Sequence, residues 1–491
     1  MSSNSFGLQI FALVAALLFA RGTASGESKE NSVVPGTRVD SSVIMTLDDY
    51  YRIIVAYHPI VRQASTYSLD AQAQIRMNKG LLDPTLNVYY QGKELSGVEY
   101  YQLWDNTLRI PVWFGTDFKV GYENNTGQYV NSESQTSGDG LWYAGVTVPL
   151  GQGLFIDERR KTIQQARLLP QQADADRITA INGVLIKATN DYWDWYHSWM
   201  RYNLLDSSYT LAKNRFDAIK SRAALGELPW IDTVEALIAV VDRQMLLEQS
   251  ITELNNAKLQ VSVHLWTVDE TPVELTDGIV PFMSANYIEA ISLSGIDSLV
   301  ATSMETHPDL VRINVQMQMN MIERRYQRDL FKPKLALEYN FLTTTRLPFS
   351  TPVDNSYFRN NYKLGVNFSY PLFLRKERGK FQRVEIKQLQ LNASLEQKQR
   401  EVTTSIRVNH ANWLLFKSQI GVQKQQLLLL TQLRDAEQTR FFAGESSFFL
   451  VNTREMTLIT NELKLYELQV KAAKAQAMIY WSSGTLLSEN K

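Results

Sequence analysis

The sequence predicts a mainly α-helical chain with a membrane β-barrel part, laid out as two copies of one structural unit. Three observations predict it: proline landmarks that repeat at a fixed offset, helical stretches far too long for an ordinary globular core, and short segments of apolar–polar alternation.

The repeat comes first because it organises everything else. His58-Pro59 recurs as His307-Pro308, and Pro84 (in LLDPTLNVYY) recurs as Pro333 (in LFKPKLALEY), both at an offset of 249 residues. Pro149-Leu150 then matches Pro371-Leu372, each trailed by a charged stretch, and Gly226-Glu227 matches Gly444-Glu445. Four landmarks in one order define a first repeat at 44–264 and a second at 294–483, joined by a linker at 265–293.

Thr46-Leu47-Asp48-Asp49 opens a helix to about Gly80, with an N-cap followed by acidic first-turn residues. Residues 157–224 and 375–442 each read as about 68 helical residues, or ~100 Å at 1.5 Å per residue. Pro170 either kinks the first of these or marks its true start. Helices of this length belong to a coiled coil or a tunnel. Met456, Ile459, Leu463, Tyr466, Val470, Ala473, Ala477 and Tyr480 step by three and four, as a heptad seam does. Ile231, Val234, Ile238, Val241 and Met245 repeat that spacing in the first half. Turns at 225–229 and 443–446 place Gly226 and Gly444 just past a helix end, so each repeat finishes in a long antiparallel helical hairpin.

Strands lie between the prolines. Leu335, Leu337, Tyr339 and Phe341 alternate with polar or small residues, and the return segment does the same at Tyr362, Leu364, Val366, Phe368 and Tyr370, across a loop at 347–359. In the first repeat Phe118, Val120 and Tyr122 pair with Trp142, Ala144, Val146 and Val148, across a loop at 125–138. Ten-residue segments with this dyad pattern are the mark of an outer-membrane barrel. Pro84 to Pro149 is 65 residues against 38 from Pro333 to Pro371, and the extra material at 92–113 reads equally as another hairpin or as an extension of the first strand. The expectation is four strands per chain.

Composition narrows the function. Lys plus Arg is 50 and Asp plus Glu is 51, which gives no basic face for nucleic acid. There are no cysteines, hence no disulfides, thiolate metal sites or thiol nucleophiles. The five histidines have no metal-ligand spacing, and neither GxSxG, Walker A nor HExxH occurs, so no enzyme, cofactor or metal is expected. Met317-x-Met319-x-Met321 scatters around a helix and reads as packing. The aromatic run Tyr192–Tyr196 reads as packing against a collar. Residues 8–19, LQIFALVAALLF, followed by small residues, read as an export signal over 1–25, then a flexible segment at 26–43. A C-terminal tail follows at 484–491.

Four strands do not close a barrel, and an open sheet edge is forbidden in lipid, so the chain must oligomerise: two copies give eight strands and three give twelve. In its order of helix, Pro, strand pair, Pro-Leu, very long helix, Gly-turn and helix, repeated twice over 44–483, the sequence resembles the TolC-type outer-membrane efflux proteins. The resemblance implies a homotrimer with a twelve-stranded barrel in outer-membrane lipid and a periplasmic α-helical tunnel. It implies a passive conduit that docks through its helical tips on a periplasmic adaptor and an inner-membrane pump, in tripartite efflux or type I secretion. By the same resemblance, the tip and gate candidates are Gly226, Glu227, Asp232, Glu235, Arg440, Gly444, Glu445, Asn452, Arg454 and Glu455. The family often carries acidic residues six and nine positions after the second glycine. Leu450 and Thr453 stand there instead, so no aspartate ring is expected at that level. Phe441, Phe442, Phe448 and Phe449 bracket the second turn as a seal or an adaptor contact. The competing readings are a periplasmic coiled-coil adaptor and a soluble structural coiled coil; the two membrane-type hairpins and the export signal argue against both.

Overall fold

The computed structural model describes residues 43–284, 287, 295–344 and 360–486. The export segment, nearly all of 26–43, the 347–359 loop, part of the linker and residues 487–491 lie outside the described residues. The chain forms two compact units, one of Met1–Ser65, Arg177–Pro308 and Gln399–Lys491, the other of Thr66–Asp176 and Asp309–Lys398.

The elements in chain order are β1 (Val43–Met45), α1 (Leu47–Tyr57), α2 (Pro59–Lys79), β2 (Thr85–Leu95), β3 (Val98–Pro111), β4 (Asp117–Thr126), β5 (Leu141–Pro149) and α3 (Glu158–Ala166). Then come α4 (Leu169–Ala224), α5 (Trp230–Ser262), β6 (Ile279–Pro281), α6 (Ile296–Thr306), α7 (Pro308–Asp329), β7 (Lys334–Thr343), β8 (Tyr362–Ser369), α8 (Arg375–Phe442) and α9 (Phe448–Ser483).

Thr46 and Asp49 form the capping box that starts α1. The expected single helix from Thr46 to Gly80 is broken at His58. Pro59 lacks an N–H and drives His58 into extended backbone, with ψ 132°. His307-Pro308 repeats the break between α6 and α7. The 157–224 stretch also divides: α3 ends at Ala166 and Pro170 falls in the first turn of α4, where a missing N–H costs nothing. Without a proline, α8 runs unbroken for 68 residues.

The second unit holds the large sheet, of order β2-β3-β4-β5-β7-β8 and antiparallel throughout. The expectation of four strands is therefore wrong, and the sheet has six. The extra material is a second hairpin. Ser96 and Gly97 both take positive φ (55° and 75°), the two-residue turn that matches strand twist, and fold β3 straight back onto β2. A second tight turn at 112–116, with Gly115 at φ 93°, reverses the chain into β4.

Register fixes the faces. Leu86, Leu108, Val120, Ala144, Phe341 and Tyr362 lie side by side in one row across all six strands. The adjacent row, on the other face, is Thr85, Arg109, Lys119, Gly145, Asn340 and Lys363. Along these rows one face is apolar and the other polar. On the polar face Lys119 reaches past β5 to Glu338, with Nζ–Oε1 at 3.0 Å. Gly145 leaves the room, since a Cβ there would collide with Asn340.

In the first unit, the aromatic run on α4 is a core. Tyr192, Trp193 and Trp195 are fully buried. The Tyr192 hydroxyl lies 2.9 Å from the Met45 carbonyl and 2.8 Å from that of Phe282, and accepts the Phe282 N–H. It thereby ties α4 to the small parallel β1–β6 pair. Nearby, His58 stacks on His264, whose Nε2 lies 2.8 Å from Asp191 Oδ2. Burial, and secondarily His264, push the His58 pKa down from 6.5 to about 4. A histidine with a depressed folded pKa contributes stability above its unfolded pKa and loses it as pH falls. Thermal stability followed by circular dichroism should therefore fall as pH drops from 6.5 toward 4, and His58→Asn should flatten that slope.

Candidate functional site

The ends of the two helical hairpins repeat one geometry. Gly226 (φ 76°) donates to the Ala223 carbonyl at 3.0 Å, and Glu227 donates to Arg222 at 3.0 Å. Gly444 (φ 77°) donates to Phe441 at 3.1 Å, and Glu445 donates to Arg440 at 2.9 Å. Both are Schellman closures, and a positive φ makes glycine the residue of choice at each.

Behind these turns the hairpins are locked by charge. Glu455 on α9 is almost completely buried, as is Arg243 on α5. Arg243 Nη2 donates to Glu455 Oε2 at 2.5 Å and to Asn452 Oδ1 at 3.1 Å, while Nη1 reaches the Ser208 carbonyl at 3.3 Å. Arg215, on α4, adds a second guanidinium, with Nη1 2.8 Å from Glu455 Oε2. One carboxylate thus ties three helices, from both repeats, and two cations share it. Burial raises the Glu455 pKa, but the two arginines lower it further, and the net shift is downward.

The other sequence-predicted residues divide. Glu227 pairs with Arg222 at 3.1 Å, and Arg440 lies 3.9 Å from Glu445; both pairs are exposed and worth about 0–1 kcal/mol. Arg454 lies 4.0 Å from Glu437, which also accepts from the Ser446 hydroxyl, so this pair acts within the second hairpin. Asp232 and Glu235, near the start of α5, join no ion pair among the described residues. The phenylalanines also divide: Phe448 is buried against Ile219, Ala236 and Ala239, with Phe441 beside it, whereas Phe442 and Phe449 stand exposed.

Sequence reasoning missed Arg215 and Arg243, and the heptad row it named on α5 is not the face buried within this chain. Ile231, Val234, Ile238, Val241 and Met245 are all exposed in this chain. The buried face of α5 carries Thr233, Ala236, Val240, Arg243, Ser250, Leu254, Ala257 and Val261 instead. Hydrophobicity favours the first row, but close helix approach selects small residues. A lone arginine inside a row of small and apolar residues at steps of three and four was the available signal.

Among the described residues, no group of three or more His, Cys, Asp or Glu is placed to hold a metal, and no helix is long and apolar enough to cross a membrane. Residues 299–485 match the model of the outer membrane efflux protein family. That match covers nearly all of the second repeat. No curated protein matches the sequence. Among solved structures, the chain is similar to the Campylobacter jejuni CmeC outer membrane channel (10% identity, TM-score 0.61, 95% of this chain and 94% of that one). It is similar to the open state of the Neisseria gonorrhoeae MtrE outer membrane channel (12%, 0.62, 90% and 89%). It is also similar to the outer membrane protein VceC of Vibrio cholerae (12%, 0.60, 89% and 96%). At such identities the shared property is the fold, and that fold is the TolC-type channel fold over nine-tenths of the chain.

Removing one partner of a buried ion pair costs about 3–5 kcal/mol. Glu455→Ala should therefore lower the unfolding midpoint far more than Glu227→Ala. Because the folded pKa of Glu455 is depressed, its contribution is present above the unfolded value of 4.5 and lost as pH falls below it. The gap between wild type and Glu455→Gln, measured by circular dichroism from pH 8 to 3, should be constant above 4.5 and shrink below.

Proposed function

We propose that the chain is one subunit of a homotrimeric outer-membrane channel-tunnel, a passive conduit from periplasm to exterior in a tripartite efflux or type I secretion system. The observation that carries this reading is the sheet whose one face carries an apolar row across every strand and whose two edges are open. Such a sheet is stable in hydrocarbon only when further copies close it. The exposed rows on the helices support the same reading. Ile231, Val234, Ile238, Val241 and Met245 on α5, and Val408, Leu415, Val422 and Leu429 on α8, are the faces that neighbouring subunits would cover.

In this proposal the helical tips meet a periplasmic adaptor coupled to an inner-membrane pump, and cargo selection lies with those partners. The Arg215–Glu455–Arg243 cluster acts as the closing latch, since it joins hairpins from the two repeats just behind the turns. Phe442 and Phe449 supply the apolar contact for the adaptor. The domain layout of a cleaved export segment, two repeats and a linker belongs to the same reading.

Purification from outer membranes in mild detergent should give a mass of three chains by light scattering; a detergent-free soluble monomer would sink the channel reading in favour of a periplasmic adaptor. In planar bilayers, Glu455→Gln, or the milder Asn452→Ala, should raise single-channel conductance several-fold while the trimer persists. Unchanged conductance in intact trimers would remove the cluster from gating. Phe442→Ser with Phe449→Ser should weaken adaptor pull-down at least tenfold without altering trimer mass.

A further inference from the structure

We propose that three copies close an eighteen-stranded barrel, strand β2 of each chain pairing with strand β8 of the next, so that the outer aperture is about half again as wide as a twelve-stranded one. The inference rests on the three-copy assembly proposed above and adds to it the strand count, the joining edges and the size of the opening.

The repeat identifies what has been added. β2 follows Pro84 as β7 follows Pro333, and β5 precedes Leu150 as β8 precedes Leu372. Between those ends the first repeat has four strands, β2 to β5, where the second has two, so one hairpin has been added. All four are built into the wall. Arg109 on β3 and Arg159 on α3 both bind Asp117 at the start of β4, the latter with Nη1–Oδ1 at 2.8 Å, which fastens the turn between β3 and β4. Lys119 on β4 is tied to Glu338 on β7, so the first repeat's strands are joined to the second repeat across β5.

The edges fit a second copy of this chain. β2 and β8 are exposed along their whole lengths on both faces. Six antiparallel strands leave β2 and β8 running in opposite directions, so head-to-tail joining keeps the wall antiparallel. An inserted hairpin preserves that parity, whereas a single added strand would destroy it. The apolar row ends in Leu86 at one edge and Tyr362 at the other, and the polar row ends in Thr85 and Lys363. Both faces therefore continue from copy to copy, and every edge N–H and C=O finds a partner, as hydrocarbon demands.

With strands ~4.8 Å apart and tilted ~40°, eighteen strands enclose about 36 Å between backbones and twelve about 24 Å. After a layer of side chains on each wall, the wider opening admits solutes of roughly 20 Å, the width of two packed helices. The barrel is then no sieve for polypeptide-sized cargo, and any size limit falls on the helical tips.

The chain has no cysteine, so introduced pairs are its only thiols. Val88→Cys on β2 is combined in turn with Leu364→Cys, Val366→Cys or Phe368→Cys on β8, which scans the register. Purified complex is treated with a short bis-maleimide, run on a denaturing gel and imaged end-on. At least one double variant should give a ladder ending at three chains, absent from the single variants, with a ring about 1.5 times as wide as twelve strands allow. A ladder ending at two chains would mean twelve strands and overturn the proposal. A three-chain mass with no link in any pair would overturn the edge joining yet leave the trimeric conduit standing. A monomeric mass would remove the conduit reading itself, and this inference with it.

Discussion

Backbone groups cannot stay unpaired in hydrocarbon, and in the proposed channel most of the second unit follows from that single constraint. It requires every strand to be bonded on both sides, which makes a lone chain incomplete. It requires the turns between strands to be tight or polar, as at Ser96-Gly97 and Gly115. It also lets side chains alternate freely between bilayer and lumen, which is why Leu86 to Tyr362 can form one apolar row while Thr85 to Lys363 forms a polar one. Charged residues on the polar face pair with one another rather than with water alone, as Lys119 and Glu338 do.

The first unit obeys a different rule. Its hairpins are long, and long helices pack closely only where the facing residues are small. Ala472, Ala475 and Ala477 on α9 and Ala236, Ala239 and Ala257 on α5 are buried, and larger apolar residues on α5 are left facing outward. In the proposed assembly these outward rows, like the open sheet edges, meet neighbouring copies.

Within this framework Glu455 is an exception to apolar packing. A buried carboxylate with two guanidiniums is poor value as stability compared with apolar residues of the same size, but its geometry is exacting. Losing the alignment of any one helix exposes an uncompensated charge. That all-or-none character suits the closing role proposed for the cluster.

The sequence alone determined the proline landmarks, the glycine turns and the alternation of the strands, because these are local: a positive φ at Gly226 and Gly444, and a period of two along Leu335 to Phe341, each act within a few residues. The candidate site was half legible. Asn452 and Glu455 lie near a recognisable turn, whereas their partners Arg215 and Arg243 are more than two hundred residues away in the chain and looked like ordinary helix charges. Tertiary structure decided three things that no local pattern holds. It placed Arg243 inside the seam, because which face of α5 is buried depends on how closely α4 approaches. It turned residues 85–111 into two further strands, because Gln91–Glu94 is too polar to announce a strand until β3 pairs with it. And it carried one apolar row through to both edges of the sheet, because register is a property of strands together and not of any strand alone.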